Sequence, residues 1–117
     1  MDINQFTEKA REALLQSFEL AKQHDNTQVE PEHLMLAIIN QKDGIAGQVL
    51  SRLGIPPRHL EVDVQAKIEA KPRAGAAAEA YPSGDFNKVL EAAAKEMAHF
   101  KDEFISIEHL FLALLEV

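Results

Sequence analysis

Small and apolar residues near the start of the chain recur in steps of three and four. Phe6, Ala10, Ala13, Leu14, Ser17 and Ala21 fall on one stripe of a helix. Glu8, Lys9, Arg11, Glu12, Gln16, Glu19 and Lys22 fall largely elsewhere, as a solvated face should, and the polar run Gln23-His24-Asp25-Asn26 ends the pattern. The spacing predicts a first helix over residues 4–23. A second starts at Pro31, because proline lacks an N–H that the first helical position does not need. Glu30 is then the cap, Val29 and Leu34 are spaced as a hydrophobic staple, and the apolar run that follows predicts a buried helix.

Residues 41–44 read as a turn. Ile45, Ala46, Val49, Leu50 and Leu53 predict a third helix, stopped by Gly54 and Pro56-Pro57. Pro57 opens a fourth, with Leu60, Val64 and Ile68 at steps of four. Residues 71–84, rich in Pro, Gly and Ala, read as a linker, with a single helical turn possible at 77–80. Ser83 caps a fifth helix that carries Phe86, Val89, Leu90, Ala93 and Met97 on one face. The last element repeats the second: Ile105 stands as staple, Ser106 as cap, and an apolar helix follows.

The repetition has a fixed period. At a shift of 76 positions Glu32-His33-Leu34 falls on Glu108-His109-Leu110, Leu36-Ala37 on Leu112-Ala113, Leu14 on Leu90 and Val29 on Ile105. The chain is therefore an internal duplication of a helical unit. Its first copy has four helices over residues 1–70. The second copy, residues 85–117, stops after its second helix, whereas the same shift would carry it to roughly residue 146. The sequence is thus expected to be a fragment of a longer chain. Its apolar helix 107–115, partly uncovered, should favour self-association or a domain-swapped dimer.

Composition narrows the function. The net charge is −7, most of it in the second half, and no basic run exists, so the footprint of a nucleic-acid binder is missing. No apolar stretch approaches the roughly 20 residues of a membrane helix, and Met1-Asp2-Ile3-Asn4 does not resemble a signal peptide. With no cysteine, disulfides and thiol nucleophiles are excluded. A cytoplasmic location is expected.

Candidate chemistry is sparse. Glu30, Glu32 and His33, echoed by Glu108-His109, could form a metal-hydrolase site. However, that chemistry wants two His four apart on one face, and this chain has none there. Acidic residues in a first turn already favour the helix dipole, so these residues read as structural and no metal is expected. Ser17, Ser51, Ser83 and Ser106 sit in no nucleophile elbow, and Gly44-Ile45-Ala46-Gly47 lacks the Lys-Ser/Thr ending of a phosphate loop. No catalytic residue is predicted. Phe6, Phe86, Phe104 and Phe111 read as core. Phe18 and Phe100 fall off their stripes and are candidates for an apolar contact surface.

Three segments resemble one family: Phe6-Thr7-Glu8-Lys9-Ala10, then Val29-Glu30-Pro31-Glu32-His33-Leu34, then Asp102-Glu103-Phe104-Ile105-Ser106-Ile107-Glu108-His109-Leu110. Together they are similar to the Clp N-terminal repeat domain that precedes the ATPase rings of Clp-type AAA+ unfoldases. Tyr81-Pro82-Ser83 leading into Asp85-Phe86, and the stretch from Lys101 to Ser106, most resemble the ClpB disaggregase branch. The resemblance implies an all-α, pseudo-twofold module tethered to a hexamer, engaging unfolded or aggregated protein. It implies no cofactor in this module, ATP and Mg²⁺ belonging to the ATPase domains. Carried over position by position, the substrate site would comprise Thr7, Leu90, Asp102 and Glu108. A plainer reading of Thr7 and Asp102 is helix-end hydrogen bonding. The ClpC and ClpA branches imply an alternative, a degron or adaptor receptor that binds phosphorylated arginine or an adaptor protein; in the ClpC branch Glu32 and Glu108 would bind the phosphorylated arginine. Pro31, where the family usually has a hydroxyl residue, departs from that pattern.

Overall fold

The computed structural model describes residues 2–41, 44–73 and 79–116. Part of the turn expected at 41–44, the middle of the linker with half of the helical turn expected at 77–80, and Val117 lie outside the described residues. A 3-10 turn at Ile3–Gln5 precedes α1 (Glu8–Gln23). A two-residue strand β1 (Gln28–Val29) leads into α2 (Pro31–Ile39), followed by α3 (Ala46–Arg52) and α4 (Pro57–Glu69). The second half contributes β2 (Tyr81–Pro82), α5 (Gly84–His99) and α6 (Ile107–Glu116). The all-α class is as the periodicity predicts, apart from the two short strands.

The first helix starts four residues later than its stripe implies. Phe6 is extended and bridges Ile105, the Thr7 N–H donates to the Ile105 carbonyl at 2.9 Å, and the Ile105 N–H donates to Gln5 O at 2.7 Å. These long-range bonds hold the backbone out of the helix until Thr7 caps it, its Oγ1 accepting from Ala10 N–H at 3.2 Å.

Seventy-six positions on, the same arrangement recurs with the halves exchanged. Ser83 N–H donates to Val29 O at 3.0 Å, β1 and β2 pair in parallel with Val29 opposite Pro82, and Ser83 Oγ accepts from Phe86 N–H at 3.0 Å. Thus the pair Phe6–Ile105 maps onto Pro82–Val29. A pseudo-twofold relation requires such an exchange, because each copy lends its entry segment to the other copy's second helix.

The helix ends repeat as well. Asp25 and Lys101, also 76 apart, both adopt left-handed φ values, 53° and 58°. At α1 the Asn26 N–H reaches Ala21 O at 2.9 Å and the Asp25 N–H reaches Lys22 O. At α5 the Asp102 N–H reaches Met97 O at 3.0 Å and the Lys101 N–H reaches Ala98 O. Both helices therefore close with a left-handed C-cap built on a residue other than glycine.

The core lies between the copies: Leu34, Ile38, Val29, Phe86, Val89, Ile105, Leu110 and Phe111 are fully or almost fully buried. Leu50 and Ile68 extend it under α3 and α4, which cover α2. Two apolar expectations fail. Phe104 is 48% exposed because the segment before α6 alternates like β1, Phe104 matching exposed Gln28 and Ile105 matching buried Val29. Leu53 is exposed because it is the C-cap of α3, where Gly54 at φ 75° turns the chain away.

Candidate functional site

An apolar groove of about 270 Å³ opens between α1 and α5. Ile3, Leu14, Leu15 and Phe18 form one wall, Pro82, Phe86, Asn87 and Leu90 the other, and Phe6 also lines it. Leu14 and Leu90, and Phe6 and Pro82, are partners under the 76-residue shift, so the groove straddles the pseudo-axis. Its walls nevertheless differ. Ile3, Leu15 and Phe18 correspond in the second copy to Glu79, Glu91 and Ala94, so the large exposed apolar side chains lie on the α1 side, while the opposite wall offers exposed Pro82 and half-buried Leu90. Leu15 is 61% exposed, and Phe18 packs edge-on against Phe86 with ring centroids 5.9 Å apart.

Of the four residues that the resemblance names, Leu90 lines this groove. Thr7, Asp102 and Glu108 do not line the groove. Thr7 follows groove residue Phe6 and is bonded through its backbone to Ile105, which Asp102 and Glu108 flank three positions to either side. Thr7 caps α1, and the exposed Asp102 accepts from His109 Nε2 at 2.8 Å, so both have structural work of the helix-end kind. Glu108 is exposed in the first turn of α6.

The two histidines are caps. The Glu30 N–H donates to His33 Nδ1 at 2.8 Å, which leaves the ring proton on Nε2 to reach Asn26 Oδ1, also at 2.8 Å. In the second copy the Ser106 N–H donates to His109 Nδ1 at 2.8 Å and Nε2 faces Asp102. Both ring nitrogens of each histidine are therefore engaged by the chain itself. Burial, reinforced by the Lys71 ammonium, depresses the His33 pKa from its ordinary 6.5 to about 4, so this ring is neutral at physiological pH.

Glu32 sits elsewhere, in an acidic recess with Glu30, Pro31, Asp85, Val89 and Leu114. Lys71 reaches into this cluster, 3.2 Å from Glu30 and 3.5 Å from Glu32. The Ser83 hydroxyl, then Lys71, holds the Glu30 carboxyl below its usual range against the opposing effect of burial. Glu32 and Glu108 are thus equivalent in sequence but not in environment: the first has an ammonium partner, the second faces solvent. No group of three or more potential metal ligands occurs among the described residues.

Sequence periodicity identified Phe18 as a contact candidate but passed over Leu15 and Ile3. Leu15 could have been found, since it is a large apolar residue on the face that Glu8, Glu12 and Glu19 make polar.

The family model described as the Clp repeat (R) N-terminal domain matches residues 5–117. Chaperone protein ClpB 2 of Nostoc sp. is 40% identical over 111 residues, 94% of this chain and 13% of the relative. Chaperone protein ClpB of Porphyromonas gingivalis is 34% identical over 115 residues, 98% of this chain and again 13% of the relative. The chain spans about an eighth of the length of these curated relatives. The crystal structure of the Hsp104 N-terminal domain from Candida albicans superposes with a TM-score of 0.87 at 29% identity, covering 95% of this chain and 73% of that one. The N-terminal domain of ClpV1 from E. coli, at 19% identity and a TM-score of 0.86, shares the fold.

Proposed function

This chain belongs to the Clp repeat N-terminal domain family, and from that premise we propose that it captures exposed apolar segments of unfolded or aggregated protein for a ClpB-type disaggregase. The observation that carries the reading is the groove between α1 and α5, with Ile3, Leu15 and Phe18 presented to solvent on one wall and Leu90 on the other. A shallow apolar surface of this kind binds many sequences weakly, because it offers area without a set of oriented polar groups. Weak capture suffices where several tethered copies share one ring, since tethering raises the effective concentration. On this reading the module holds no cofactor of its own, ATP and Mg²⁺ act on the ATPase domains of a hexameric parent, and the protein works in the cytoplasm. Thr7, Asp102 and Glu108 form a polar border beside the groove.

Titration of isotopically labelled chain with a permanently unfolded model protein, followed by backbone amide shifts, tests the proposal. Shifts are expected at Leu15, Phe18 and Leu90, extending to Thr7, Asp102 and Glu108, and Leu15→Ser should weaken binding severalfold without unfolding the chain. Binding that leaves all of these signals unmoved overturns it. The alternative, a ClpC- or ClpA-type receptor for phosphorylated arginine, has less support, because Lys71 occupies Glu32 and Pro31 removes an N–H that a phosphate would use. Selective binding of free phosphoarginine, lost in Glu32→Ala, would favour it instead.

A further inference from the structure

Two polar groups stand among the apolar side chains of the α1–α5 groove. The first is a backbone carbonyl. Parallel pairing turns alternate residues of the β2 segment toward β1: the Tyr81 N–H donates to Thr27 O at 3.2 Å and the Ser83 N–H to Val29 O at 3.0 Å. Pro82, between them, therefore presents its carbonyl to the other edge, which no further strand covers among the described residues. Pro82 is exposed and lines the groove, and no backbone N–H among the described residues donates to its carbonyl. The second group is the side-chain amide of Asn87, the one polar side chain in the groove lining. It is also exposed, and it forms no hydrogen bond with any described residue. The first copy has no such pair: Phe6, the equivalent of Pro82, is buried, and Arg11 stands in place of Asn87. The groove thus has an apolar α1 wall and, facing it, a wall that offers one free acceptor and one free amide.

These two groups decide what conformation the groove accepts. Water satisfies them while the groove is open. An apolar segment that covers them removes that water, a loss recovered only if the segment brings hydrogen bonds of its own. A helix brings none from its interior, where every N–H and C=O is already paired along the axis. An extended segment has both free. On the reading that the groove captures apolar segments, we propose that the captured segment lies as an extended strand along the free edge of β2. One of its N–H groups donates to Pro82 O, and a carbonyl accepts from Asn87 Nδ2. Its alternate side chains meet Ile3, Leu15 and Phe18. Pro82 and Asn87 are then specificity determinants that read backbone, which is the same in every sequence, so the groove selects unfolded chain over folded helix. Because proline has no N–H, this edge cannot extend into a full ladder, in keeping with weak and reversible capture.

The probe is a capped decapeptide alternating leucine with serine, added to the isotopically labelled full chain. Shifts are expected at Leu15, Phe18, the Pro82 carbonyl carbon and the Asn87 side-chain amide. N-methylation of every leucine removes the N–H groups of one strand edge, and N-methylation of every serine removes those of the other. One set should weaken binding about tenfold or more, the other no more than about twofold. Asn87→Ala should weaken the unmethylated peptide about three- to tenfold, and Asn87→Gln less. Binding at Leu15 and Phe18 that is indifferent to both methylated sets and to Asn87→Ala overturns the strand and leaves capture standing. Equal affinity for a helix-stapled peptide of the same composition does so too, as does a groove moved by the unfolded model protein but not by the decapeptide. Signals unmoved by either the decapeptide or the unfolded protein overturn both.

Discussion

Acidification should destabilise this protein through a single ring. His33 is completely buried, its Nδ1 already faces the Glu30 N–H, and protonating that nitrogen would set two donors against each other in a desolvated site. The folded pKa is therefore about 4 against an ordinary 6.5. Because the folded value is the lower one, the stabilisation is fully present above pH 6.5 and is lost as pH falls toward 4. At pH 5 the unfolded chain holds this proton and the folded chain does not. Between pH 7 and pH 5 the linkage costs about 2 kcal/mol of unfolding free energy, a large share of the 5–15 typical of a domain. The lowered pKa of Glu30 acts below its unfolded value and adds little slope in that window.

Urea unfolding followed by circular dichroism at pH 7, 6 and 5 measures the effect. The control is His33→Gln, which keeps an acceptor for the Glu30 N–H, as glutamine does in a capping box, and does not titrate. Wild type should lose about 2 kcal/mol over that range and the variant only a few tenths. A wild-type stability flat from pH 7 to 5, or a slope that survives in His33→Gln, would refute the reasoning.

Two further outcomes follow from the repeated geometry. Asp102→Asn should leave thermal stability within about 0.5 kcal/mol because it reproduces the Asn26–His33 pair, whereas Asp102→Ala should cost about 1 kcal/mol by orphaning His109 Nε2. If Asp102→Asn nevertheless impairs capture of unfolded protein, its charge acts on the substrate; unchanged capture would restrict it to the cap. Lys101→Gly should stabilise by about 0.5–1 kcal/mol, since it relieves a left-handed lysine at some entropic cost. Asp25→Gly should gain less, aspartate tolerating that conformation better. Equal urea midpoints for Lys101→Gly and wild type would contradict the first statement.

The helices, their caps at Glu30 and Ser83, and the duplication were legible because each depends on neighbours within a turn or on a fixed period. The start of α1 was not, because bonds from Ile105, a hundred residues away, hold Phe6 and Thr7 extended. Phe104 was misassigned for a related reason: its two-residue alternation is too short to register as a strand. The candidate site divided in the same way. Leu90 could be placed from the resemblance and Phe18 from its broken stripe, but Leu15 and Ile3 joined them only once the groove was built.

By itself the sequence determined that this protein is helical, built from one unit repeated 76 residues apart, acidic and without a recognisable catalytic centre. Periodicity, capping chemistry and composition are local or additive properties, and a chain carries them before it folds. Tertiary structure alone decided which distant residues met. Lys71 reached Glu30 and Glu32, Phe18 came to lie edge-on against Phe86, and Ile3 and Leu15 joined Leu90 in one groove. Such meetings depend on packing, which joins residues that no local pattern connects.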